Sequence, residues 1–123
     1  MPRAVHERAP FRLAERPTQT ELLAKYFRAF ADPTRLLILE LVAQRERSVG
    51  ELAALTGQAQ PNISNHLGCL RWCGFVTTRR EHRRVYYAIA DTRVVDLLEL
   101  ARELLADNAE HVDCCRVIAT DKD

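Results

Sequence analysis

Residues 48–74 read SVGELAALTGQAQPNISNHLGCLRWCG. Ser48 and Glu51 have the spacing of a capping box, and Leu52, Ala53 and Leu55 follow at helical intervals until Gly57 stops the run. Gln60-Pro61 opens a second helix and Gly74 closes it. Only Gly57, Gln58 and Ala59 lie between the two. A short helix, a glycine turn and a second helix at this spacing predict a helix-turn-helix. Downstream, Phe75–Arg79 and Val85–Ile89 are rich in β-forming residues and flank Arg80-Glu-His-Arg-Arg84, so they read as a hairpin with an arginine-rich tip. Upstream, Thr18 with Glu21 caps a helix over 19–31, and Asp32-Pro33 starts another that runs to about Gln44. Asp91 caps a last helix over 92–109. The expected order is α-α-α-α-β-β-α, mainly α with a β-hairpin wing: a winged helix-turn-helix over residues 18–110. A flexible basic arm (1–17) precedes it and an irregular tail (111–123) follows.

The chain has 123 residues, enough for one domain. It is 47% apolar and 28% charged, as in a soluble globular protein, and its apolar runs fall far below the ~18 residues of a membrane span. The first 17 residues hold no apolar signal segment, which leads to the expectation of a cytoplasmic protein whose four cysteines stay reduced. The net charge of +1 conceals an asymmetry. Residues 91–123 carry nine acidic and four basic side chains, so residues 1–90 carry the positive excess, and arginine supplies 16 of the 18 basic groups. The arginine fork suits phosphates and base edges, which points to nucleic acid.

Within the second helix of the helix-turn-helix, Ile63, Leu67 and Leu70 fall on one face, the core stripe. The polar first two turns offer Gln60, Asn62, Ser64, Asn65 and His66 to base edges and phosphates of double-stranded DNA. The wing adds Arg79, Arg80, Arg83 and Arg84 against a lone Glu81, with Arg83 and Arg84 the expected phosphate contacts. The last helix carries Val94, Val95, Leu97, Leu98, Leu100, Ala101, Leu104 and Leu105, more apolar surface than one core-facing stripe requires. The surplus predicts a homodimer, with Tyr26, Phe27 and Phe30 able to join the contact. A two-fold dimer presents two reading helices to successive turns of a palindromic operator.

Asn62, His66, Cys69 and Cys73 form a second stripe about 100° from the core stripe. Cys69 and Cys73 therefore sit one turn apart, where two thiolates can share a soft metal ion. Cys114 and Cys115 in the tail can supply one or two further sulfurs. Three thiolates suit Cd(II), Pb(II) or As(III); four also suit Zn(II). His111 is a spare ligand. No glutamate stands as in His-x-Glu or His-Glu-x-x-His, so an enzyme is not expected.

These segments resemble the ArsR/SmtB metal-sensing repressors. Ala31-Asp-Pro-Thr-Arg35, Ser48-Val-Gly-Glu-Leu-Ala53, Asn62-Ile-Ser-Asn-His-Leu-Gly-Cys-Leu70 and Arg84-Val-Tyr-Tyr-Ala88 match four of that family's motifs in order, over roughly residues 20–110. One branch of the family places Cys-x-Cys where this chain has Ser48 and Gly50. Another places Asp, His, His and an acidic residue where it has Asp91, Arg93, Leu104 and Asp107. A third, the cadmium/lead sensors, has the pattern of His66-Leu-Gly-Cys-Leu-Arg-Trp-Cys-Gly74 plus a tail cysteine. That likeness implies a metal site of Cys69, Cys73 and Cys114. It also implies a metal-free dimer that represses a metal-efflux or resistance operon and leaves it when Cd(II) or Pb(II) binds. Alternatives on the same scaffold are an As(III) sensor, or a repressor switched by thiol oxidation or reactive sulfur.

Overall fold

The computed structural model describes residues 16–115. Its elements run α1 (Gln19–Arg28), α2 (Pro33–Gln44), β1 (Arg47–Ser48), α3 (Val49–Thr56), α4 (Gln60–Trp72), β2 (Val76–Glu81), β3 (Arg84–Ile89) and α5 (Thr92–Cys114). This is a winged helix-turn-helix, mainly α. Most of the arm expected over 1–17 lies outside the described residues, as does the chain beyond Cys115. Among the described residues no helix is long and apolar enough to cross a membrane.

Local signals build the helices as read. Both capping boxes close: the Thr18 and Ser48 hydroxyls accept the backbone N–H of Glu21 and Glu51, and each glutamate accepts the cap's own N–H. Asp32 caps α2 by accepting from the Arg35 N–H at 2.9 Å, with Pro33 in the first turn. Gly57 ends α3 at φ +73°, a conformation that favours glycine. At the end of α4, Gly74 is also left-handed (φ +84°). The Gly74 N–H donates to the Arg71 carbonyl and the Phe75 N–H to the Leu70 carbonyl, a Schellman motif. Phe75 is thereby driven into the core. Its ring lies 4.6 Å from Tyr26 and 4.4 Å from Phe30, fully buried beside Ile38, Leu39, Leu52, Ile63, Leu67 and Leu70.

Three features differ from the reading. The wing is part of a three-stranded antiparallel sheet ordered β1-β3-β2, because Arg47 and Ser48 pair with Tyr87 and Tyr86. Two residues are too few to show alternation. Arg47 is nearly buried: its guanidinium donates to the Leu41 carbonyl (3.1 Å) and the Gln44 side chain (2.8 Å), placing a cation at the C-terminus of α2. Helix α1 stops at Arg28, three residues early, and its last carbonyls are met by Arg35. Helix α5 continues past residue 109 through Cys114, so the first four residues of the expected irregular tail are helical. Apolar periodicity fades after Leu105, but neither Gly nor Pro interrupts the turns that follow.

Helix α5 buries only Val94 and Leu98 in its own chain. Its N-cap Asp91 is gripped by Arg93, whose side chain and backbone N–H hold the carboxyl down at about 2. The folded state thus favours the ionised form. That stabilisation is complete above the ordinary value of 3.8 and is lost as pH falls through about 2. Asp91→Ala is expected to lower the urea midpoint at pH 7, with the difference from wild type shrinking toward nothing as denaturation is repeated down to pH 2.

Candidate nucleic-acid interface and thiol cluster

Helix α4 divides lengthwise as its periodicity requires. Ile63, Leu67 and Leu70 are fully buried, while Gln60, Asn62, Ser64 and Asn65 are exposed together on its first two turns. Pro61 and the Ala59 cap, which makes no side-chain hydrogen bond, leave this end open. His66 is not part of the exposed set. It is half-buried, with Nδ1 3.4 Å from Arg35 Nη1 and 3.8 Å from Asp32 Oδ2. A guanidinium only donates, so Nδ1 is the acceptor in the contact with Arg35.

Arg35 was not among the residues read as functional, although it lies in the quoted 31–35 motif. It donates to the Ala29 carbonyl at 2.8 Å, the Arg28 carbonyl at 3.2 Å and His66, so one side chain ties the end of α1, the start of α2 and the middle of α4. Gln58, in the turn, was also missed. Its amide donates to Thr34 Oγ1 at 2.7 Å and accepts from Asn62.

In the wing, β2 and β3 pair from Val76–Ile89 to Glu81–Arg84, and the two-residue turn places His82 at φ +57°. Arg80, Arg83 and Arg84 are exposed around it. Arg79 is committed elsewhere. It pairs with Glu46, donates to Glu81 at 2.8 Å and lies 4.9 Å above the Tyr86 ring. These bonds raise the Arg79 pKa and lower that of Glu46. The tip cluster is therefore three arginines, and Arg79 anchors the wing to the segment before β1.

Cys69, on the last turn of α4, and Cys73, its C-cap, are half-buried against the core. Burial pushes the Cys73 thiol up, the neighbouring Cys69 pushes it further, and Arg35 and Lys25 oppose both. Cys114 is exposed at the end of α5; Cys115 is half-buried and its N–H donates to the Val112 carbonyl at 3.2 Å. Among the described residues of one chain, no three His, Cys, Asp or Glu side chains gather as a metal-holding group. The pair on α4 fits a thiophilic ion, and a third ligand needs another source.

The model of the bacterial regulatory protein arsR family matches residues 32–78, from the cap of α2 into β2. A probable mercury resistance operon repressor from Streptomyces lividans is 47% identical over 98 residues, covering 80% of this chain and 78% of the relative. The chain belongs to the arsR family. Another relative, the HTH-type transcriptional regulator CmtR of Mycobacterium tuberculosis, is 46% identical over 85 residues, covering 68% of this chain and 72% of that protein. The crystal structure of M. tuberculosis Rv0081 superposes with a TM-score of 0.74 at 37% identity, covering 80% of this chain and all of that one. A homodimeric winged helix-turn-helix DNA-binding domain from Mycobacterium bovis matches with a TM-score of 0.64 at 36% identity, covering 78% of this chain and 92% of that one. Fold and family make this arsR-family chain a DNA-binding transcriptional regulator and not an enzyme.

Proposed function

We propose that the chain is a metal-responsive repressor. The metal-free homodimer holds a palindromic operator and releases it when a soft ion is bound by Cys69 and Cys73 of one copy and Cys114 of the other. One observation carries this reading: α4 bears the exposed polar side chains on its first turns and two half-buried thiols, Cys69 and Cys73, at its C-terminal end. Anything that ties the thiols acts on the body that meets DNA. The dimer is supported by the apolar side chains that α1 and α5 leave uncovered, among them Leu22, Leu23, Phe27, Leu100, Leu104 and Leu105. The homodimeric M. bovis domain supports it too. The tail cysteine of a second copy answers the lack of a third ligand within one chain.

Thiolates select soft ions, so Cd(II) and Pb(II) lead the panel. The name of the S. lividans relative adds Hg(II), and Zn(II) and As(III) complete it. The exposed Gln60, Asn62, Ser64 and Asn65 meet base edges, Arg83 and Arg84 meet phosphates, and His66, held by Arg35, sets the seating of α4.

The test is an anaerobic titration of the reduced protein on operator DNA with each ion. A sulfur-to-metal charge-transfer band should appear as DNA is released. The sole tryptophan, Trp72, 93% exposed and next to Cys73 in sequence, should report the same event by fluorescence. Reduced protein that keeps its DNA with every ion and loses it only to an oxidant would overturn metal sensing in favour of a thiol-redox switch. On the DNA side, Arg83→Ala with Arg84→Ala removes up to four phosphate contacts per dimer. The slope of log affinity against log salt should then fall by about 3 to 4. An unchanged slope would remove the wing from the interface.

A further inference from the structure

Asn62 stands in the first turn of α4, exposed, at the end of a chain of side-chain hydrogen bonds. Its Nδ2–H donates to Gln58 Oε1, and Gln58 Nε2–H donates to Thr34 Oγ1 at 2.7 Å. Gln58 is itself fixed: its backbone N–H donates to Thr56 Oγ1 at 3.3 Å, and that hydroxyl donates to the Leu52 carbonyl at 2.7 Å. Each link has a direction. Because Gln58 gives its N–H to Thr34, only its carbonyl faces Asn62, so Asn62 must present its NH₂ inward. What Asn62 then offers outward is one remaining N–H and its Oδ1, a donor beside an acceptor.

We propose that Gln58 is a positioning residue that presents Asn62 as a reader of adenine. Adenine shows an N7 acceptor and an N6 donor in the major groove, the complement of that edge. Guanine shows two acceptors, and cytosine and thymine show no such pair. An asparagine loose on a helix would spend rotamer freedom to adopt this pose. Here half-buried Gln58 and Thr34 hold it before DNA arrives, which favours discrimination. The inference rests on the DNA-reading role of α4 and names the base and the residues behind one contact.

The test is selection of operator duplexes from a randomised pool by the full-length, metal-free, reduced protein, with the thermal midpoint of each variant measured alongside. Wild type should enrich one A·T pair at a symmetric position in each half-site. Asn62→Ala should erase that preference, by about tenfold or more at that position, and leave the other positions unchanged. Gln58→Leu should erase it too while Asn62 is still present, which a merely structural role would not do. Gln58→Glu, which still accepts from Asn62, should keep most of it. If Asn62→Ala changes no position, or the position it changes is G·C, or Gln58→Leu retains the preference, the proposal fails and the DNA-reading function stands. If wild type enriches no sequence, both fall together.

Discussion

Leu104→Glu is expected to leave the chain folded and abolish operator binding. Leu104 is 58% exposed on α5, beside Leu105 at 48% and one turn after Leu100 at 54%. None of the three contributes to the core of its own chain, so a carboxylate at 104 removes nothing that the monomer needs. In a two-fold dimer the substitution occurs twice. Each buried leucine lost is worth about 2–3 kcal/mol, and two weaken association by about three to four orders of magnitude. Monomers meet half-sites one at a time and forfeit the effective concentration that links them. Sedimentation should show a monomer at micromolar concentration with an unchanged far-ultraviolet spectrum, and gel shift should show no specific complex. A stable Leu104→Glu dimer would move the interface away from α5.

Cysteine replacement gives the second large effect. In the metal-free state Cys69→Ser, Cys73→Ser and Cys114→Ser should bind operator like wild type. Adding ion should then change affinity less than twofold, against the 5- to 150-fold typical of coupled sites. Cys115→Ser should keep the response. The crossed site makes a sharper statement. Chains carrying Cys69→Ser with Cys73→Ser, mixed with chains carrying Cys114→Ser, form dimers in which the intact thiol pair of one copy faces the intact tail of the other. Each mixed dimer should hold one of its two metal sites although neither parent has any, so a randomly exchanged mixture should regain about a quarter of the wild-type sites. No recovery would place the third ligand in the same chain. Because burial raises the Cys73 thiol, binding must also expel protons, so metal affinity should fall as pH is lowered.

The fold was legible wherever one residue type does one local job. Ser48 with Glu51, Asp32 with Pro33, and the glycines at 57 and 74 mark ends of helices whatever surrounds them. Legibility failed where long-range partners decide. Nothing near Arg79 says that Glu46, thirty-three residues away in sequence, will claim it, so it was counted with the tip. His66 reads as one more polar residue on an exposed turn until Arg35, from another helix, is placed against it. The pairing of Arg47 and Ser48 with β3 leaves no period to detect. The cysteines at 69 and 73 announce themselves by spacing. Among the described residues of one chain, no third His, Cys, Asp or Glu joins them as a metal-holding group.

The Schellman turn after α4 has a mechanical meaning. Cys73 is the last residue before Gly74, and the next side chain, Phe75, packs against the rings of Tyr26 and Phe30. That end of the helix is a clamped pivot. The opposite end lies about 20 Å away, at 1.5 Å per residue over thirteen residues. Torque applied through the sulfurs beside the pivot therefore has a long arm to act on. A swing of about five degrees would carry the first turn nearly 2 Å, enough to pull an amide out of reach of a base.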